Sequence, residues 1–265
     1  MRVNVRFSEV NTKIDVDFAE NHSRFNADFG AVTELRSPEL EAKIRAEGYE
    51  AGRKSQYDEF WDAFQRKGAL TDYYHVFTGY GWTADAFKPK YDIRGNRFAN
   101  TFSYTALFKG SLIDILNECG VVIDTSQAYQ ISSMFSYSGI SDIPHIDYSG
   151  VTSMSAGDMC YQCTNLKKIE KITVKEGLSF TANAFGNCKL LEEIIFAGVL
   201  STNGLNLQWS TKLTHDSLMS ILNCLKDYSA NTSGTVYKVT IGTENLAKLT
   251  AEEQQIAYNK GWTLA

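Results

Sequence analysis

One pair of residues stands at a spacing that metal and redox sites use: Cys160-Tyr161-Gln162-Cys163. Two thiols so placed can converge on zinc or pass through a disulfide, but a structural zinc site needs a second ligand pair. The other cysteines are Cys119, Cys188 and Cys224, which makes a dispersed total of five. An odd, scattered set is a poor disulfide framework. The four histidines, His22, His75, His145 and His215, fall one to a segment. None stands in a His-Glu-x-x-His frame, and neither a Gly-x-Ser-x-Gly elbow nor a phosphate loop occurs. Asp15 and Asp17 lie on an alternating pattern that reads as a solvated strand face. The expectation is a chain that is not an enzyme and takes no metal or cofactor.

Tyr, Ser, Thr and Asn offer a different chemistry. Ser136, Tyr137, Ser138, Asn165, Thr181 and Asn183 place short uncharged hydrogen-bonding groups beside aromatic rings. Such mixtures suit contact with carbohydrate or protein, and they suit solvated turns as well. The chain has 14 Tyr, 15 Phe and 4 Trp, an aromatic excess that a core or a contact surface must account for. Net charge is −5, from 26 basic and 31 acidic residues without a basic block. Nucleic-acid binding is disfavoured, because phosphate neutralisation needs clustered Lys and Arg. At 43% hydrophobic and 22% charged the composition is that of a folded soluble protein, and 265 residues allow one large domain or two small ones. Polar residues interrupt every second position of Met1–Glu9. No secretory signal is read there, and no run of about 18 apolar residues exists to enter a membrane. Synthesis in a cytosol, without standard export or membrane insertion, is expected.

Residues 1–36 read as an extended arm. Val3, Val5 and Phe7 alternate with polar residues, and Ile14, Val16 and Phe18 do so after a turn-like stretch. Period-two alternation predicts strands, here a hairpin. Phe25 and Phe29 follow in polar surroundings. These eight apolar positions are too few to fold alone and are the expected anchoring contacts. Residues 37–68 read as helix, with Ser37 as N-cap, Pro38 at the first helical position and Gly68 as the stop. Tyr57, Phe60, Trp61 and Phe64 form one stripe on it. Residues 69–97 form an aromatic, glycine-punctuated connector that includes Phe77, Tyr80, Trp82 and Phe87. Its aromatics are expected to cover the end of the domain that follows, with Tyr80 and Trp82 retained as candidate contacts.

From residue 102 the sequence repeats. Phe135, Cys160 and Phe185 head three segments at intervals of 25, and Cys163 to Cys188, Leu166 to Leu191 and Ile169 to Ile194 keep that interval. Ile140 and Ile143 fill the matching places of the first segment. An earlier copy begins at Phe102, 33 residues before Phe135, so it carries an insertion, read as a helical turn over 111–119. A fixed period of about 20–29 residues, with Leu or Ile two or three apart and an Asn/Cys position, is a leucine-rich-repeat signature. Each unit buries its apolar side only by stacking on its neighbours. Phe102, Phe135, Ile140, Ile143, Cys163, Leu166, Ile169, Phe185, Cys188, Leu191 and Ile194 are the predicted repeat core. Tyr104, Tyr137 and Tyr161 are the repeat tyrosines left as candidate contacts. Beyond 204, Leu205 and Leu207 continue the strand column, and residues 215–228 read as a helix with Leu218, Ile221, Leu222 and Leu225 on one stripe. Residues 235–241 alternate as a strand, and Thr250 with Glu253 makes a capping box that opens a last helix closed by Gly261.

The units at 160–169 and 185–194 and the tail 205–265, with its run Lys238–Thr250, resemble BspA-like leucine-rich repeats of bacteria. The front half carries a second resemblance. Tyr57-Asp58-Glu59-Phe60-Trp61-Asp62, Gly81-Trp82-Thr83, Phe87-Lys88-Pro89-Lys90-Tyr91-Asp92 and the arm from Phe18 to Leu35 resemble proteins encoded by phages and prophages of gut bacteria. That resemblance implies a virion protein of the tail, baseplate or fibre, with an N-terminal anchor ahead of the repeats. The sequence departs from the pattern at Cys160, where Phe is usual, and in the insertion of the first copy.

The expected fold class is α+β: an extended N-terminal arm and helix, then a short leucine-rich-repeat solenoid with an α/β C-terminal cap. The expected divisions are 1–36 anchoring arm, 37–97 connector, 98–204 repeats and 205–265 capping region. The expected function is a phage virion structural protein that attaches to other virion proteins through the arm and presents the repeats to a host-surface glycan or protein, as a homo-oligomer. A capsid decoration or architectural virion protein without a receptor, and a bacterial leucine-rich-repeat interaction protein or adhesin, are the alternatives.

Overall fold

The computed structural model describes the backbone of residues 3–7, 13–18 and 23–28, and residues 77, 83–85, 87–89, 92–152 and 155–265 in full. The expected helix over 37–68, its aromatic stripe and Phe29, Tyr80 and Trp82 lie outside the described residues. Strands β1 (Val3–Phe7), β2 (Lys13–Phe18) and β3 (Ser23–Asp28) form one antiparallel sheet in that order. Its register pairs Val3 with Phe18, Val5 with Val16 and Phe7 with Ile14, and then Val16 with Phe25 and Ile14 with Ala27. The third strand enlarges the expected hairpin, because Arg24 and Asn26 flank Phe25 and Ala27 in the same period of two.

The rest of the described chain is a stack of parallel passes. It begins with β4 (Ile93–Arg94), the helix α1 (Leu112–Cys119) and β5 (Ile123–Asp124). Then come β6 (Asp142–Ile143), β7 (Ile146–Asp147), β8 (Ser155–Gly157), β9 (Lys168–Val174), β10 (Ser179–Phe180) and β11 (Glu193–Gly198). The C-terminal part holds α2 (His215–Cys224), β12 (Tyr237–Val239), α3 (Thr243–Leu246), α4 (Ala251–Asn259) and β13 (Trp262–Leu264). Strand β4 pairs β5, β6 and β7 pair β9, β9 pairs β11, β8 pairs β10 and β12 pairs β13, all in parallel. In the β9–β11 register Lys168 meets Glu193 and Ile169 meets Ile194, so one pass equals one 25-residue interval of the sequence.

Hydrogen bonds outside the strands continue the ladder. The N–H of Phe102, Phe135 and Cys160 donates to the carbonyls of Met134, Met159 and Ala184 at 2.7, 2.9 and 2.7 Å. The side chains of that column are buried. The rings of Phe77 and Phe102 stack at 4.9 Å, and those of Phe102 and Phe135 at 5.5 Å. Phe77 N–H donates to Thr101 O and Ile93 N–H to Val122 O. Stacking therefore starts upstream of the expected division at 97/98, which falls inside the ladder. All eleven predicted repeat-core residues are buried. The longer interval between Phe102 and Phe135 contains α1, capped by Ser111, whose Oγ accepts from Asp114 N–H, and closed by left-handed Gly120. Leu112, Ile115 and Leu116 bury one face of this helix.

Parallel stacking leaves an edge at β11, and helix α2 covers it. Ser217 Oγ accepts the Ile194 N–H at 3.0 Å and Ser220 Oγ accepts the Phe196 N–H at 3.1 Å. Two hydroxyls thus occupy strand groups that would otherwise offer pairing to another chain. The helix stops at Cys224 rather than at residue 228. Leu225 turns extended and forms a bridge with Leu200, so its backbone is taken by the stack and not by a further helical turn. The strand expected over 235–241 is shorter, at Tyr237–Val239, with Thr240 bridging to Asn206. Thr250 and Glu253 form a reciprocal capping box on α4. Gly198 shows why the passes can approach: its φ is +88°, and a Cβ there would meet Val174 O at 2.1 Å.

Candidate functional site

Two columns run along the same edge of the stack, offset by one residue. The inner column consists of Thr105, Ser138, Cys163 and Cys188, each three residues after the Phe102–Phe135–Cys160–Phe185 column. Thr105 Oγ1 donates to Phe102 O at 2.7 Å and lies 2.7 Å from Ser138 Oγ. Cys163 Sγ donates to Phe135 O at 2.8 Å, and Cys188 Sγ to Cys160 O at 3.0 Å. Burial pushes the thiols of Cys160 and Cys188 well above their usual range, with neighbouring thiols adding to the shift. Cys160, Cys163 and Cys188 are thus part of the buried hydrogen bonding between passes. No cluster of three or more His, Cys, Asp or Glu able to hold a metal occurs among the described residues.

The outer column is Tyr104, Tyr137, Gln162 and Asn187, and it faces solvent. All four residues have left-handed backbones, with φ of 57°, 58°, 62° and 64°. This places a bulky residue twice where Gly or Asn is the relaxed choice. Hydrogen bonds to the next pass hold the conformation: Tyr104 N–H to Ser136 O at 2.7 Å, Tyr137 N–H to Tyr161 O at 2.7 Å and Gln162 N–H to Gly186 O at 2.8 Å. Each tyrosine is 39% exposed. Their rings are parallel within 7° at 4.8 Å. Tyr161, half-buried, meets Tyr137 edge-on at 5.4 Å. Its ring lies over Gly186, where a Cβ would come within 2.9 Å of it. Asn187 Nδ2 donates to Gln162 Oε1 at 2.7 Å and continues the column as an amide pair. Desolvation raises the phenol of Tyr137, reinforced by Tyr161, Tyr104 and the carboxylate of Asp158.

The structure thus brings the three candidate tyrosines of the repeats together. Gln162 and Asn187 join them without having been singled out from sequence. Their signal was positional: each stands two residues after the aligned Phe or Cys. His145 and His215, the histidines among the fully described residues, lie elsewhere. His145 Nε2 lies 2.8 Å from Thr173 Oγ1, and desolvation followed by Lys171 lowers its pKa from 6.5. His215 Nε2 lies 2.8 Å from Glu253 Oε1 and ties α2 to α4.

A scan against protein-family models gives no match, and searches of curated proteins and of solved structures give none either. No described helix is long and apolar enough to cross a membrane.

Proposed function

We propose that the chain is a structural protein of a phage virion, of the tail, baseplate or fibre, that displays a leucine-rich-repeat domain for attachment to the host surface. Residues 1–36 dock on other virion proteins, and the stack presents the tyrosine column outward. The observation that carries the display half is the Tyr104–Tyr137 pair. Both rings stay exposed at a left-handed position that the fold alone would fill with Gly or Asn, and backbone strain of this kind collects at functional sites. The virion half is supported by the resemblance of residues 18–35 and 57–92 to phage-encoded proteins. Several copies on one particle, in a symmetric homo-oligomer, turn weak single contacts into strong attachment.

Mass spectrometry of purified particles tests the reading. The chain is expected among the virion proteins, and its absence from particles overturns the proposal. A chain that is present, but whose tyrosine variants leave adsorption unchanged, is an architectural or decoration protein instead.

A further inference from the structure

We infer that the column Tyr104–Tyr137–Tyr161–Gln162–Asn187 binds an extended neutral oligosaccharide, an inference that rests on the reading of this column as the contact surface. Three features select that ligand class. First, three rings follow one another from pass to pass, Tyr104 to Tyr137 at 4.8 Å and Tyr137 to the edge-on Tyr161 at 5.4 Å. A ligand that repeats a hydroxylated ring along its own length meets such a succession in several places at once, and each weak contact then adds to the others.

Second, the column offers polar edges rather than apolar pockets. The facing sides of the Tyr104 and Tyr137 rings are taken by each other. The Asn187–Gln162 bond uses one amide nitrogen and one amide oxygen. It leaves the Gln162 NH2 group and the Asn187 carbonyl without a protein partner among the described residues. Donors and acceptors without formal charge, beside phenol rings, match sugar hydroxyls. An apolar peptide anchor would need a buried pocket, as the strong contacts of protein interfaces do.

Third, the column carries no formal charge of its own, since its five side chains are phenols and amides. It offers no ion pair to a phosphate, sulfate or uronate group, whose lost hydration would then go uncompensated.

The test uses the full chain and immobilised polysaccharides: a β-glucan, an α-mannan and a galactan as neutral probes, and alginate and polygalacturonate as acidic ones. A parallel arm measures binding to host cells treated beforehand with periodate or with protease. Binding to at least one neutral polysaccharide and to neither acidic one is expected. Tyr137→Asn and Gln162→Ala should each weaken it about tenfold, the size of an interface residue that matters. Tyr258→Ala, on α4, should leave it unchanged. Binding that prefers the acidic probes overturns the inference, as does a polysaccharide affinity that the column variants do not alter. Failure on every polysaccharide together with protease-sensitive, Tyr137-dependent binding to cells overturns the sugar class and keeps the contact surface. Cell binding that ignores Tyr137, or no binding in either arm, overturns both.

Discussion

The rings of Tyr104 and Tyr137 lie parallel at 4.8 Å, although both residues hold a left-handed backbone. The two facts pull stability in opposite directions. A left-handed backbone costs an ordinary L-residue about 1–2 kcal/mol, and an aromatic pair returns about 0.5–1.5 kcal/mol. Replacement of either tyrosine by Asn, which tolerates this conformation, removes both effects. Urea unfolding of Tyr104→Asn and Tyr137→Asn should therefore differ from the parent by less than about 1 kcal/mol. A loss of several kcal/mol would make the pair a structural element and not a display.

The Phe column is different in kind. Phe135 is fully buried between passes and stacks on Phe102. Phe135→Ala should cost about 3–5 kcal/mol, the range for a large core side chain whose cavity collapses only in part. The urea midpoint should fall with the slope unchanged.

At the edge of β11, Ser220 supplies the acceptor for the Phe196 N–H. Ser220→Ala leaves that group without its hydroxyl and should cost about 1–3 kcal/mol. Amide exchange at Phe196 should accelerate more than at Ile172 in β9, whose neighbours on both sides are strands. Equal acceleration at the two sites would contradict local edge protection by α2.

The thiols give a chemical count of packing. Cys160, Cys163 and Cys188 are buried, and Cys119 and Cys224 are partly so. Since the thiolate is the reactive form and burial raises the thiols of Cys160 and Cys188, a charged disulfide reagent should leave the three core cysteines untouched in the native protein. All five should react in denaturant.

His145 supplies a pH dependence. Its folded-state pKa lies below the ordinary 6.5 because burial, and then Lys171, disfavour the imidazolium. Between that lowered value and 6.5 the unfolded chain binds more protons than the folded one, so stability is complete above pH 6.5 and falls as pH drops through the window. His145→Gln should flatten this part of the pH–stability curve. An unchanged slope would show that other groups set it.

The 25-residue interval was legible because Leu, Ile and Phe recur at core places where only apolar bulk fits. Phe77 was not legible as a member of the ladder, since the glycine-rich connector around it repeats no second core position. In the inner column Cys163 and Cys188 could be aligned by type. Thr105 and Ser138 align with each other as hydroxyls but not with the thiols, although a hydroxyl there bonds within the column as the thiols do. The outer column shares a residue type only between Tyr104 and Tyr137. Tyr, Tyr, Gln and Asn have in common a left-handed backbone, which is a property of the turn and not of the side chains. The end of α2 was missed for a similar reason: apolar spacing runs on through Leu225, but the backbone there is claimed by Leu200.

Adsorption tests the proposed display of the tyrosine column on a particle most directly. Particles that carry the parent chain and particles that carry Tyr104→Asn with Tyr137→Asn are compared for adsorption rate on host cells, with the copy number of the chain measured in both. The expected result is equal incorporation and an adsorption rate lower by about tenfold or more. Equal incorporation with an unchanged adsorption rate, or a chain missing from the parent particles, would contradict the account.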